Sequence, residues 1–356
     1  MEPLVALTRS NRIESIHAGY ICITDSNNNV LYNIGDCKDK VFLRSAAKPF
    51  IATTFIKSGA MEQFDISEKE LAIICSSHTG EDYHRETISS ILNKIGVSEE
   101  DLKCGISAPY NKEMNERLIR KNERPSKLYN CCSGKHSGML AACKALGLPI
   151  DSYNDKCHPL QKLILYNISK LLGCSEEDII LGIDGCTVPS FMITIQQISY
   201  LYALLADGGN TKEEYKDALT KIRNSMVAYP EMIDGYEEFY TELMGHSDKR
   251  MIAKVGDEGL YCVAVPEKKI GIVVKIVDGN ERACYPVIIE VLKQLGIFTK
   301  TESKQLYNWA FTPLKNHVSD VIGYTLPVFN INKNQSNKNI TIGQLLEFKG
   351  DNLWNN

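Results

Sequence analysis

The N-terminal part of the chain mixes β-branched and aromatic residues at strand-like spacing. Ile13–Thr24 reads as a strand, the polar run Asp25–Asn29 as a turn, and Val30–Ile34 as the returning strand. From Ser45 the period lengthens. Apolar residues three and four apart predict helices over Ser45–Lys57, Tyr83–Ile95, Ser133–Leu146, Pro159–Leu172, Met192–Leu205 and Glu213–Val227. Strand spacing returns at Met251–Val255, Leu260–Val265 and Lys269–Val277, where Pro266–Lys268 is short enough to close a hairpin, and a helix follows over Cys284–Leu295. This order predicts an α+β fold: an antiparallel sheet built from both chain ends (about 1–40 and 251–329) carrying a central helical subdomain (about 45–250). Residues 1–329 form one unit on this reading. The rest, 330–356, opens on an Asn- and Lys-rich run that cannot supply a core and reads as a polar extension.

Composition narrows the classes. With 356 residues and 44% hydrophobic content the chain can bury a substantial core. A net charge of -4 gives no reason to expect nucleic acid or an anionic membrane as partner. The first residues lack a basic, then apolar, signal pattern, and no run reaches the roughly 18 apolar residues of a membrane span, so a soluble, cytoplasmic protein is expected. The twelve cysteines are scattered and form no C-x-x-C, which favours reduced thiols; Cys22, Cys143 and Cys262 sit in apolar runs and read as core.

Five segments concentrate reactive side chains. Arg44-Ser-Ala-Ala-Lys48 places Ser45 and Lys48 three apart, one helix face if the helix starts at Ser45. A neutral lysine can take a serine proton, but its usual pKa of about 10.4 must fall by roughly three units. Ser77-His-Thr-Gly-Glu81 follows an apolar run into a Gly-containing turn. Lys254-Val-Gly-Asp-Glu-Gly259 lies on a strand, where a lysine is ordinarily an edge or solvent-face residue. A Ser-x-x-Lys opening the first helix, a serine in the helical part and a Lys-x-Gly on a late strand is also the layout of penicillin-recognising serine enzymes, in which two ammonium groups approach and depress each other's pKa. Asn130–Met139 and Gly182–Pro189 bring small and polar residues to helix starts, as a ligand-approaching backbone requires, although Ser133 and Ser190 could serve simply as caps.

Arg-Ser-x-x-Lys-Pro at 44–49, Ser-His-x-Gly-Glu at 77–81, Cys-Ser-Gly-Lys-His-x-Gly-Met at 132–139, Asp-Gly-Cys at 184–186 and Lys-x-Gly-x-Glu-Gly at 254–259 together resemble the signature set of the Rhizobium-type L-asparaginases, the asparaginase II family. The resemblance runs from residue 3 to about 329. It implies a fold like serine β-lactamases and glutaminases, two Ser–Lys tandems (Ser45 with Lys48, Ser77 with Lys254), and a zinc site formed by Cys132, Lys135 and Cys186. It also implies a pocket lined by Arg44, His136 and Asp184 for the substrate's α-amino and α-carboxyl groups, and often a homodimer. Cys131, a second thiol beside Cys132, departs from the pattern.

The activity so implied is hydrolysis of L-asparagine to L-aspartate and ammonia through a serine ester, with Ser45 as nucleophile, Lys48 as its base, and Ser77 and Lys254 relaying protons. Exchange of the two serines' roles is the open alternative. A β-lactamase or penicillin-binding serine hydrolase shares the layout, but Cys132, Lys135 and Cys186 have no part in its chemistry; acylation by labelled penicillin distinguishes it. A catalytically silent amino-acid-binding relative would release no ammonia.

Overall fold

A computed structural model describes residues 1–10, 12–247 and 250–331. Strands β1 (Glu2–Arg9), β2 (Arg12–Asp25) and β3 (Val30–Ile34) come from the start of the chain. Short strands β4 (Lys40–Phe42), β5 (Ile180–Ile183) and β6 (Pro189–Thr194) form a separate antiparallel sheet in the order β4-β6-β5. Strands β7 (Ile252–Asp257), β8 (Leu260–Val265), β9 (Ile270–Ile276), β10 (Pro313–Lys315) and β11 (Val321–Pro327) come from the C-terminal part. The main sheet runs β10-β11-β1-β2-β9-β8-β7, with β3 also on β2, and every pairing is antiparallel. Both chain regions therefore build one sheet, as the element order predicts.

Between them lie helices α1 (Lys48–Lys57), α2 (Glu68–Ile74), α3 (Asp82–Ile95), α4 (Ser133–Leu146), α5 (Pro159–Leu172), α6 (Ile195–Asp207) and α7 (Lys216–Ala228); α8 (Cys284–Gln294) follows the sheet. The sheet is apolar on both faces. Leu260, Cys262 and Ala264 of β8 join the core of the helical part, whereas Tyr261, Val263 and Val265 join a second core with α8. The same alternation puts Lys254 on the face of Ile252, toward the helices.

Three boundaries differ from the sequence pattern. Residues 192–194 belong to β6, and the helix begins at Ile195 because Thr194 and Gln197 form a capping box. Arg44–Ala47 is a 3-10 turn, with the α-helix opening at Lys48 and Pro49 in its first turn. Glu213–Tyr215 is likewise a 3-10 turn before α7. Ile331 is buried and its N–H donates to Gln294 Oε1 at 2.9 Å, so the first residues of the expected extension dock on α8; residues 332–356 lie outside the described residues. Among the described residues no helix is long and apolar enough to cross a membrane.

Helix α6 lies directly on the sheet at Gly271. A Cβ there would meet Ser199 O at 2.0 Å and Ala203 N at 2.5 Å, while Ser199 Oγ donates to Gly271 O at 2.9 Å. Gly271→Ala must push the helix off the sheet, an overpacking cost of roughly 2–4 kcal/mol. A lowered urea midpoint at unchanged m-value is the expected result.

Candidate active site

The site forms where the first turn of the helical part meets the edge of the main sheet. Arg44 sits at φ 48°, a left-handed conformation costly for a non-glycine residue. Gly256 explains how Leu43 can lie against β7: a Cβ would come within 2.7 Å of Leu43 O. The glycine of the Lys-x-Gly motif thus lets the segment carrying Ser45 and Lys48 approach the strand carrying Lys254.

Ser77 and Lys254 meet as expected, but Lys48 pairs differently. Lys48 is buried, and its Nζ donates to Ser76 O at 2.6 Å, Ser77 Oγ at 2.9 Å and Cys131 O at 3.0 Å. These contacts occupy all three ammonium donors. Lys254 Nζ lies 2.6 Å from the same Ser77 Oγ. Ser45 is 3% exposed and, among the described residues, its hydroxyl has no hydrogen-bond partner. Both lysines therefore converge on Ser77. The expected stacking of Lys48 over Ser45 fails because the 3-10 turn precedes the helix and Lys48 reaches into the turn after α2.

Electrostatics separates the two lysines. Burial, and then the neighbouring Lys48 charge, push Lys254 down to about 7. Burial also opposes the charge of Lys48, but the Cys132 and Cys131 thiols outweigh it and hold its pKa above the ordinary lysine value. Lys254, rather than Lys48, is the lysine able to be neutral near pH 7.

Ser77 opens onto a cavity of about 280 Å³ lined by Thr79, Cys131, Asp234, Glu238, Asp257 and Glu281 together with Tyr110, Tyr240, Tyr261 and Tyr285. Apart from Asp257, in the Lys254 motif, these acids and tyrosines carry no motif-like spacing. They come from separate segments, so nothing local in the sequence groups them.

Behind the cavity lie the remaining motif residues. Arg44 Nε donates to Asp184 Oδ1 at 2.6 Å and its Nη2 reaches Asp257 Oδ2 at 3.4 Å. Asp184 Oδ1 also accepts the Gly185 N–H at 2.9 Å, and Oδ2 lies 3.7 Å from Cys186 Sγ and 3.9 Å from Lys135 Nζ, so this carboxylate is held by the protein itself. His136 is fully buried, its Nδ1 2.7 Å from the Tyr153 hydroxyl; burial and then Lys135 push it down to about 3, leaving it neutral. It underlies the site rather than facing the cavity.

Cys132, Lys135 and Cys186 do come together. Lys135 Nζ donates to Cys186 Sγ at 2.9 Å, and Cys131 Sγ lies 3.9 Å from Cys132 Sγ. Hydrogen bonds from Cys131 and Cys186 hold the Cys132 thiol well below its usual pKa. Lys135 stays charged: burial opposes the charge, but Cys186, Cys132 and Asp184 more than restore it. Two thiols and one amine are a reasonable zinc donor set once the amine loses its proton, so Cys132, Lys135 and Cys186 are the residues that would hold the ion. Among the described residues no three His, Cys, Asp or Glu side chains could hold a metal ion, so a site here depends on the lysine.

The family model of L-asparaginase II matches residues 5–327. The chain belongs to the L-asparaginase II family and is thereby an asparaginase-type amidohydrolase acting on a small molecule. No curated protein matches it. Distant likenesses among solved structures include a Bacteroides dorei DSM 17855 protein described as a β-lactamase, 12% identical over 77% of this chain and 93% of that one, TM-score 0.40. An octameric penicillin-binding protein homologue from Pyrococcus abyssi is 15% identical over 88% and 86%, TM-score 0.37. Mglu in its glutamate form is 12% identical over 78% of this chain and 61% of that one, TM-score 0.37.

Proposed function

We propose that this chain hydrolyses the side-chain amide of L-asparagine through an ester on Ser77. The observation that carries the reading is Ser77 Oγ held between Lys48 Nζ at 2.9 Å and Lys254 Nζ at 2.6 Å at the edge of a small cavity. Neutral Lys254 takes the Ser77 proton as Oγ bonds to the amide carbonyl carbon. The resulting ammonium protonates the departing nitrogen, the C–N bond breaks and ammonia leaves. Water then attacks the ester, Lys254 accepts its proton and returns one to Ser77 Oγ. Lys48, charged throughout, stabilises negative charge beside the reacting oxygen. Arg44, from behind the cavity, donates to Asp184 and to the cavity-lining Asp257 and so fixes the charge of that wall. A cavity this small should favour asparagine over glutamine by about 10- to 200-fold in kcat/KM, the usual discrimination for one methylene; equal values for the two amides would refute the preference.

A second reading keeps Ser45 as nucleophile, with Ser77 passing a proton between the lysines. It is favoured by the strained Arg44, which presents a partnerless Ser45 hydroxyl at the head of a turn. Acid quench during turnover followed by peptide mapping decides: the aspartyl ester belongs on the peptide containing Ser77 in the first reading and Ser45 in the second.

Zinc is the metal this reading assigns to Cys132, Lys135 and Cys186. Bound there, it would supply a fixed positive charge beside the substrate. At about pH 8 the purified protein is expected to carry one zinc per chain, and Cys186→Ser none. Metal-free wild-type protein, or unchanged zinc in the variant, contradicts the assignment.

A further inference from the structure

We propose that Glu81 is a positioning residue for the reaction at Ser77: its carboxylate clamps the two loops that wall the cavity and so sets how well that cavity binds substrate. The inference rests on the amidohydrolase reading. Glu81 closes the Ser77–Glu81 motif, of which the reaction above uses only the serine. The motif runs between two stretches without regular structure, 105–111 and 234–238. Ser77 N–H donates to Ile233 O and Thr79 N–H to Asp234 O, both at 2.9 Å, and Asn111 N–H donates to Thr79 O at 3.0 Å. The approach is close: a Cβ at Gly235 would come within 2.2 Å of Thr79 Oγ1. Each stretch brings residues to the cavity, Tyr110 from the first, Asp234 and Glu238 from the second.

The Glu81 carboxylate joins the two stretches. Glu81 is 9% exposed; its Oε1 accepts from Asn111 Nδ2 at 2.9 Å and its Oε2 from Tyr236 N–H at 3.3 Å. Among the described residues no lysine or arginine forms an ion pair with it. His84 Nδ1 lies 3.9 Å from Oε2, but burial pushes that histidine down to about 4, so the neutral ring accepts the Glu81 N–H at 3.3 Å instead. Burial and then Glu81 raise the Tyr83 pKa, so that phenol stays protonated beside the carboxylate. Loop donors thus carry much of the solvation of a buried charge, and losing one is costly. Asn111 is fixed on its other side as well, since its Oδ1 accepts the Met114 N–H at 3.0 Å and caps helix Lys112–Lys121. Tyr110 is 71% exposed, so its place at the cavity depends on this anchored neighbour. Ser77 is held without Glu81, by its own N–H and by both lysines. Loosening Glu81 should therefore disturb the walls more than the reacting atoms.

The test separates binding from chemistry. Glu81→Gln presents one acceptor oxygen and one NH2 group, and so satisfies only one of the two loop donors. Its KM for L-asparagine is expected to rise at least about fivefold while kcat stays within about threefold of wild type. A role in folding alone would instead lower kcat through the folded fraction and leave KM unchanged. Asn111→Asp, which keeps an acceptor for the helix cap, sets two carboxylates against each other and should raise KM likewise. Combining the two reverses donor and acceptor: the amide at position 81 donates to the carboxylate at 111, and its oxygen accepts the Tyr236 N–H. KM of this double variant is expected to return to within about threefold of wild type, a non-additivity that only contacting residues show. Amide hydrogen exchange of 105–111 and 234–238, measured without substrate, should quicken in each single variant and recover in the double one. Unchanged KM in Glu81→Gln, a kcat loss at unchanged KM, unchanged exchange in both single variants, or a double variant no better than the worse single overturns the proposal. Exchange that quickens and recovers in a chain whose wild type hydrolyses no amide would leave the clamp standing and sink the amidohydrolase reading instead.

Discussion

Ser77→Ala is expected to lower kcat for L-asparagine by at least about 10³-fold while leaving a folded protein. Removing a nucleophile costs far more than the hydrogen bonds it makes, because every later step depends on the ester it forms. The hydroxyl bridges both lysines, so its loss also disconnects Lys254 from the reacting carbon. Pairing the variant with Lys254→Met should add little, as residues acting in one proton path are strongly non-additive. Steady-state ammonia release, with far-UV circular dichroism to verify folding, measures this. Turnover within about tenfold of wild type by Ser77→Ala would rule out Ser77 as nucleophile.

The pH dependence of kcat/KM is expected to rise toward a plateau with an apparent pKa near 7, set by Lys254. The sign follows from the role of the group. Protonated Lys254 cannot accept the Ser77 proton, so below pH 7 the active fraction falls about tenfold per pH unit. Lys254→Met should lose about 10²- to 10⁴-fold in rate, the usual span of general-base catalysis, together with that acidic limb. A profile flat between pH 5.5 and 8.5, or one rising toward acid, is incompatible with Lys254 as the base. Lys48 does not supply the limb, because its surrounding thiols keep it charged throughout this range.

Much of this was legible in the chain. The switch from strand to helix spacing near Ser45 and back near Met251 marked which segments build the main sheet, because a sheet apolar on both faces needs long apolar strands from both ends. Ser133–Leu146 and Pro159–Leu172 coincide with α4 and α5, whose ends are fixed by local signals such as Gly147 and Gly173. The small sheet of β4, β5 and β6 was less visible, since strands this short carry little alternation, β6 is buried along most of its length, and residues 192–194 blend into the helix that follows. The resemblance placed Ser45, Lys48, Ser77, Lys135, Cys186 and Lys254 in one region and paired Ser77 with Lys254, whose Nζ lies 2.6 Å from Ser77 Oγ, but it did not show that Lys48 also reaches Ser77. That pairing depends on the 3-10 turn at Arg44–Ala47 and on Ser76 O and Cys131 O drawing the Lys48 ammonium toward Ser77. Asp234, Glu238 and Glu281 were silent for a different reason. Each is an ordinary acid in its own segment, and only the packing of those segments around the cavity brings them together.

Release of ammonia from L-asparagine by the purified, metal-replete protein at about pH 8, with L-glutamine measured alongside, tests the central claim most directly. The proposed reaction predicts sustained ammonia and L-aspartate production from asparagine, at least about tenfold more efficient than the corresponding reaction of glutamine. No ammonia from asparagine, from a folded protein supplied with zinc, would contradict the account.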